Sequence, residues 1–348
     1  MKKALIFNFI LVFASACTLL PTKTMIQSKN TKDMLTSNEL AEFANAYFWE
    51  NYHKGNYHKI DSVLYYLQAA YIKNPNDLQT IAHIGFTNAW AISERRKLDT
   101  IPPNIVEHAT LAVKYFGEAH ELNSNDPRVL GFLADFKIIQ GTIAEDKKLI
   151  QQGYFDGKKS INQWNEFNYF TVGYVLSQLP HDSWQFKKAI EWQWKTLDEC
   201  YCEKVDRDNF KVEKYLSLED TETNTKRKRA CWNSWIAPHN VEGFYLNMGD
   251  MLVKSGDYKK GIKVYEMIKQ VPQYNTWPFK KELQERIENA EINVVNFRKE
   301  VANNEVVPDK NLMMVNTSIS CMSCHQMSKA DEDYFKINDI YKRMYLKK

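Results

Sequence analysis

Glycine and proline are scarce. Twelve glycines and ten prolines stand in 348 residues, about 6% against a usual share of roughly 12%. Strand-rich folds need many tight turns, so the shortage argues against a turn-dense sandwich or barrel and favours helices. A strong charge of one sign is missing too. With 46 Lys and Arg against 43 Asp and Glu, the net charge is only +3, too weak to argue for a nucleic-acid partner. Six cysteines are too few for a disulfide scaffold at this size. Beyond the N-terminal segment no run is long and apolar enough to cross a membrane. What is present is ample apolar content, 44% of residues, which excludes global disorder. The length allows two or three ordinary domains or one long repeat array.

The N-terminus reads MKKALIFNFILVFASAC. Lys2 and Lys3 precede a nearly unbroken apolar run from Leu5 to Ala14, interrupted by Asn8. The run falls short of the ~20 residues a spanning helix needs, and it reads as an export signal. Ala14-Ser15-Ala16 would suit an ordinary signal peptidase, which leaves free secretion open. Cys17, directly after it, points elsewhere. The segment resembles a bacterial lipoprotein signal, with Ala14 standing where that family's box carries Leu. The resemblance implies that residues 1–16 are removed, that Cys17 carries the lipid, and that residues 17–37 tether the body to a membrane. Thr18, not Asp, follows the cysteine. In Gram-negative lipoproteins that pattern implies an outer-membrane protein facing the periplasm, in the bacterial cell envelope.

The body is patterned for helices. Asp61 to Ile72 puts Val63, Leu64, Leu67, Ala70 and Tyr71 on one face, and Leu111 to Leu122 does the same with Ala112, Tyr115, Phe116, Ala119 and Leu122. The two stretches share a phase. Ala70 and Ala119 are each followed seven residues later by Asp77 and Asp126, and fifteen later by Gly85 and Ala134. Small residues at fixed phase let helices approach, and polar turns at fixed phase separate the pairs. This pattern resembles the tetratricopeptide repeat. Its clearest copy is Phe244 to Pro272, with Tyr245, Met248, Gly249 and Leu252 on the first helix, Gly256-Asp257-Tyr258 at the turn, and Gly261 and Tyr265 on the second. Further copies begin at Ile81, Ile84 and Gly85, and at Leu130, Leu133 and Ala134 with Gly141 at the turn. The resemblance implies an all-α fold, a helical repeat array (α-solenoid) over residues 38–303, and a concave surface for binding partners. Repeat packing accounts for the tryptophans, Trp192 and Trp194 among them, better than a sugar-binding platform does.

Residues 198–240 break the pattern. They are highly charged, include Lys226-Arg227-Lys228-Arg229, and read as an insert between repeats. In an oxidising compartment one disulfide is expected there, joining Cys200 or Cys202 to Cys231. Lys280 to Glu300 forms an amphipathic helix, with Leu283, Ile287, Ala290, Val294 and Phe297 on its apolar face, that caps the array. His53 and His58 read as surface residues.

Near the C-terminus stands Cys321-Met322-Ser323-Cys324-His325. This C-x-x-C-H pattern is the c-type haem attachment motif. Two thiols one helical turn apart can each bond a vinyl group of one porphyrin, and the adjacent histidine offers its imidazole to the iron. The motif therefore predicts one covalent haem c held by Cys321 and Cys324, with His325 as axial ligand, in a segment spanning residues 304–348. Only 23 residues follow His325. The second axial position stays open between Met344, Met313 or Met314, a histidine of the array, and no protein ligand at all. The segment, too small to enclose a porphyrin alone, is expected as an appendage packing its haem against the array or the capping helix. Three functions follow as expectations. The first is a lipid-anchored monohaem protein moving electrons, with a redox partner docked on the array. The second is an envelope protein–protein scaffold with structural or no haem. The third is a haem enzyme or sensor with an open iron site.

Overall fold

The computed structural model describes residues 36–213, 240–301, 305, 307–328 and 333. Among these residues every regular element is helical. In chain order they are α1 (Ser37–His53), α2 (Ile60–Lys73), α3 (Leu78–Ser93), α4 (Glu107–Leu122), α5 (Pro127–Ile143), α6 (Lys147–Gln163), α7 (Asn165–Leu176), α8 (Trp184–Tyr201), α9 (Asn240–Ser255), α10 (Tyr258–Ile268), α11 (Lys280–Glu288), α12 (Ala290–Asn296) and the single turn α13 (Met322–His325). No described helix is long and apolar enough to cross a membrane.

The helices pack as neighbours in sequence: α1 with α2, α3 with α4, α5 with α6, α7 with α8, α9 with α10. In addition α1 touches α3 and α5 touches α7, so alternate helices form an inner layer. Sequence explains which helix goes where. α3 reads LQTIAHIGFTNAWAIS and is buried nearly all round, as suits an inner helix that is mostly apolar and carries no charged residue. α6 reads KKLIQQGYFDGKKSINQ and buries only a narrow stripe of Gly153, Gly157, Ser160 and Ile161. That stripe is small because α5 lies so near. A Cβ on Gly153 would stand 2.7 Å from the Ala134 carbonyl oxygen.

The polar junctions are helix starts. Asp77, Asp126, Asp146 and Asp257 each accept a hydrogen bond from a backbone N–H of the helix that follows, answering donors no helical carbonyl can reach. In the Phe244–Pro272 stretch Gly256 makes the turn at φ +110°, where a side chain would be strained. Gly249 lies under the Tyr265 ring, which a Cβ would meet at 2.2 Å. Gly141 differs from expectation. It sits inside α5 against Ile150, and the turn falls at Ala144 to Asp146, with Glu145 at φ +54°. The helix predicted over 280–300 is two helices. It breaks at Asn289, whose backbone N–H and side-chain amide both donate to the Glu285 carbonyl. The predicted apolar face survives the break, with Leu283, Ala290 and Phe297 buried.

Trp192 and Trp194 both lie in the core, the first beside Tyr154 and Tyr169 and the second beside Phe210. The start of the insert packs as well. Val205, Phe210 and Val212 are buried, and Arg207 pairs with Asp198. Lys226 to Arg229 and Cys231 lie outside the described residues.

The largest departure is the C-terminal segment. Residues 309–328 are no appendage. They thread into the array, with Leu312, Met313, Met314, Val315, Thr317, Ser320, Met322, Ser323 and Cys324 buried. No element in them exceeds a single turn, so helical periodicity had no means of revealing where they go.

Candidate functional site

The C-x-x-C-H residues form one helical turn. The backbone N–H groups of Cys324 and His325 both donate to the Cys321 carbonyl, at 3.2 and 3.1 Å. That closure puts the two thiols, three apart, on one face. The turn is held from four directions. Met322 N–H donates to the Glu94 carboxylate on the loop after α3 (2.8 Å), and the Trp277 indole donates to the Ser323 carbonyl (2.9 Å). Met327 N–H donates to the His53 carbonyl (2.9 Å), and the Tyr174 hydroxyl shares a hydrogen bond with Ser320 (2.6 Å). On α9, Gly243 is the close approach. A Cβ there would meet the Cys324 Sγ at 2.2 Å and the Ser323 backbone at 3.0 Å.

Upstream the segment is anchored by buried charge. Asp250 on α9 accepts from Met314 N–H and from the Tyr265 hydroxyl, both at 2.5 Å, and lies 3.0 Å from Arg286. Arg286 in turn donates to the carbonyls of Asp309, Lys310 and Leu312. Arg96 donates to the carbonyls of Glu305 and Asn316.

These anchors bring Cys321, Cys324 and His325 to the wall of one cavity of about 210 Å³. Its other walls come from α1, α3, α4, α5 and α7, the inner surface of the array. They are mostly aromatic, including Phe48, Trp49, Tyr52, Phe86, Phe132 and Phe170. The Tyr52 ring lies 5.1 Å from the His325 ring. Burial pushes the Tyr52 hydroxyl well above its ordinary range, raises the Cys321 thiol, and lifts the Cys324 thiol to about 12. As free thiols both are weak nucleophiles at neutral pH.

A second imidazole lines the cavity. His83 on α3 sits against Phe48, with ring centroids 4.2 Å apart. Its Nδ1 is 2.5 Å from the Asn45 side-chain oxygen and its Nε2 is 2.5 Å from the Gln79 side-chain nitrogen. An amide oxygen only accepts, so Nδ1 carries the proton and Nε2 receives one from Gln79. Burial lowers the His83 pKa to about 3, so the ring is neutral.

The cavity also carries polar groups that sequence reading missed. Asp135 on α5 and Glu166 and Thr171 on α7 line it and are buried. The signal was there for Asp135, a lone carboxylate in the otherwise apolar run LGFLADF of α5. Nothing local linked it to a site nearly two hundred residues away.

The other expected site residues fall as follows. Met313 and Met314 are buried but do not line the cavity, and the Met314 sulfur accepts from the Ser323 hydroxyl at 3.0 Å. Cys200 is disulfide-bonded, whereas Cys202 is an exposed free thiol at the left-handed end of α8. Cys17, Cys231 and Met344 lie outside the described residues. His53, expected at the surface, is buried. Its ring stacks on Trp49 beneath the docked segment. His58 is exposed. Among the described residues no three His, Cys, Asp or Glu side chains converge to hold a bare metal ion.

No protein-family model, curated protein or solved structure matches the chain.

Proposed function

We propose that the chain is an exported c-type haem protein, lipid-anchored through Cys17 in the bacterial envelope and facing the periplasm. Its tetratricopeptide-like array holds one covalent haem and docks the redox partner with which that haem exchanges single electrons. One observation carries the reading: both thiols and the adjacent imidazole of C-x-x-C-H line the same aromatic cavity. The donor set fits the group. Cys321 and Cys324 would hold the porphyrin through thioether bonds, and His325 would hold the iron. The group supplies reversible one-electron chemistry when bound.

The chain's own residues supply the setting. Phe48, Phe86, Phe132 and Phe170 line the cavity and would shield the ring system from water. The Met322 and Ser323 anchors to Glu94 and Trp277 fix the attachment turn. The low dielectric of such a cavity is one lever on the reduction potential.

A second reading, a haem enzyme or sensor with an open iron face, is favoured by Asp135 and Thr171, whose buried polar atoms line the cavity.

The test is expression with export and haem-attachment machinery, followed by a pyridine haemochrome assay. One haem c per chain is expected, and Cys324→Ser should abolish stable attachment. Protein purified without haem from cells that load a control cytochrome would overturn the proposal.

A further inference from the structure

We propose that Asp135 and Thr171 form a hydrogen-bonding wall for a small ligand whose outer atom accepts a hydrogen bond, a molecule of the diatomic or peroxide class, bound inside the cavity of Cys321, Cys324 and His325. The inference rests on the haem reading, because an iron with a single protein ligand would hold the other end of such a molecule.

Two other buried carboxylates near the site, Glu94 and Asp250, are engaged in structure. Glu94 accepts from Trp90 and Met322 and pairs with Lys97. Asp250 serves Tyr265, Met314 and Arg286. Asp135 differs. It is 3% exposed, lines the cavity, and its Oδ1 has no hydrogen-bond partner within the protein. Thr171, 8% exposed on the neighbouring inner helix, lines the same cavity with an equally unpartnered Oγ1. An unanswered buried polar group is costly, and native proteins keep such groups where a ligand or water answers them.

Their chemistry narrows the ligand. Asp135 is buried with no paired cation, and desolvation raises its carboxyl pKa, which favours the neutral acid with an O–H to give. The threonine hydroxyl also donates. Two neutral donors in an aromatic setting suit a small acceptor and offer no countercharge to a cation. Arg128, also in the wall, is already bound to Asp126. His83 has both ring nitrogens committed to Asn45 and Gln79, and Met313 and Met314 lie off the cavity, so none of these three would compete there with an outside molecule.

Carbon monoxide and cyanide are the probes. Haemochrome assay of wild type and variants comes first, and absence of haem c would remove the haem reading and this inference together. With haem present, the reduced wild type should bind carbon monoxide and the oxidised form cyanide. Asp135→Leu should raise the infrared C–O stretching frequency and weaken cyanide binding about tenfold, the worth of one hydrogen bond. Thr171→Val should do the same to a smaller extent. Asp135→Asn, which keeps an N–H donor, should retain more of the affinity. If Asp135→Leu fails to fold, Thr171→Val and a shift of the wild-type C–O band in deuterium oxide carry the test. A haem-loaded protein that binds neither probe, or an Asp135→Leu variant with unchanged stretch and affinity, would overturn the proposal.

Discussion

The array and the segment it encloses are held together by different physics. Helices α1 to α10 associate through apolar stripes, with Val63, Leu67 and Ala70 on α2 and Ala112, Phe116 and Ala119 on α4 buried. Each pair needs only its sequence neighbours. Residues 309–328 have no stripe and no helix longer than a turn. Polar contacts from far along the chain fix them, from Glu94, Arg96, Asp250, Trp277 and Arg286. Packing by stripe tolerates small changes, since its energy is spread over many contacts. Docking by buried polar groups concentrates the cost in a few residues, because each loss leaves a partner unanswered.

That contrast can be broken most sharply at Arg286. Arg286→Met leaves Asp250 buried without its ion pair and three carbonyls of the segment without their donor, and should cost about 3–5 kcal/mol. Denaturant unfolding measures the loss, and hydrogen exchange should rise first at residues 309–316. A uniform rise across α1 to α8 would mean that Arg286 holds the array instead. Glu94→Leu strips the acceptor from Met322 N–H and the Trp90 indole and should cost about 3 kcal/mol. Exchange should quicken around α13 while α5 to α8 keep their protection; equal loosening everywhere would contradict the separation.

Gly243→Ala is subtler. Alanine suits α9 as a helix, yet its Cβ would enter the space of Cys324 Sγ. An overpacking cost of about 1–3 kcal/mol is expected, with reduced haem loading in the haemochrome assay. A variant that is more stable and loads normally would show that the close approach is unimportant. The smallest effect belongs to the array alone. Asp77→Ala removes the cap on Thr80 N–H and should lower stability by about 1 kcal/mol. Calorimetry should detect it without any change in exchange at residues 309–328, and a coupled change there would join the two regions into one cooperative unit.

Much of the array was legible because its signals are local. The small residues Gly85 and Gly249 sit where Phe116 and Tyr265 need room, and the aspartates at the junctions cap the next helix. Asn289 was misread because an apolar face can run on through a break in the backbone ladder. Gly141 was misread because a glycine between apolar runs serves equally as a turn or as a close helix contact, and only Ile150 packed against it distinguishes them. In the candidate site the grouping of Cys321, Cys324 and His325 was legible from their spacing alone. Asp135, Thr171 and His83 were not, since each lies on a different inner helix.

By itself, the sequence determined that the chain is helical, which faces of most helices are apolar, and that Cys321, Cys324 and His325 share one turn. Those are properties of residues within a few positions of one another. Tertiary structure alone decided that the turn lies inside the array, that Cys200 and not Cys202 is disulfide-bonded, and that His53 is buried. It also decided that one aromatic cavity joins the thiols to a carboxylic acid from α5. Hydrogen bonds between residues hundreds of positions apart leave no periodicity in the chain, so only folding brings them into view.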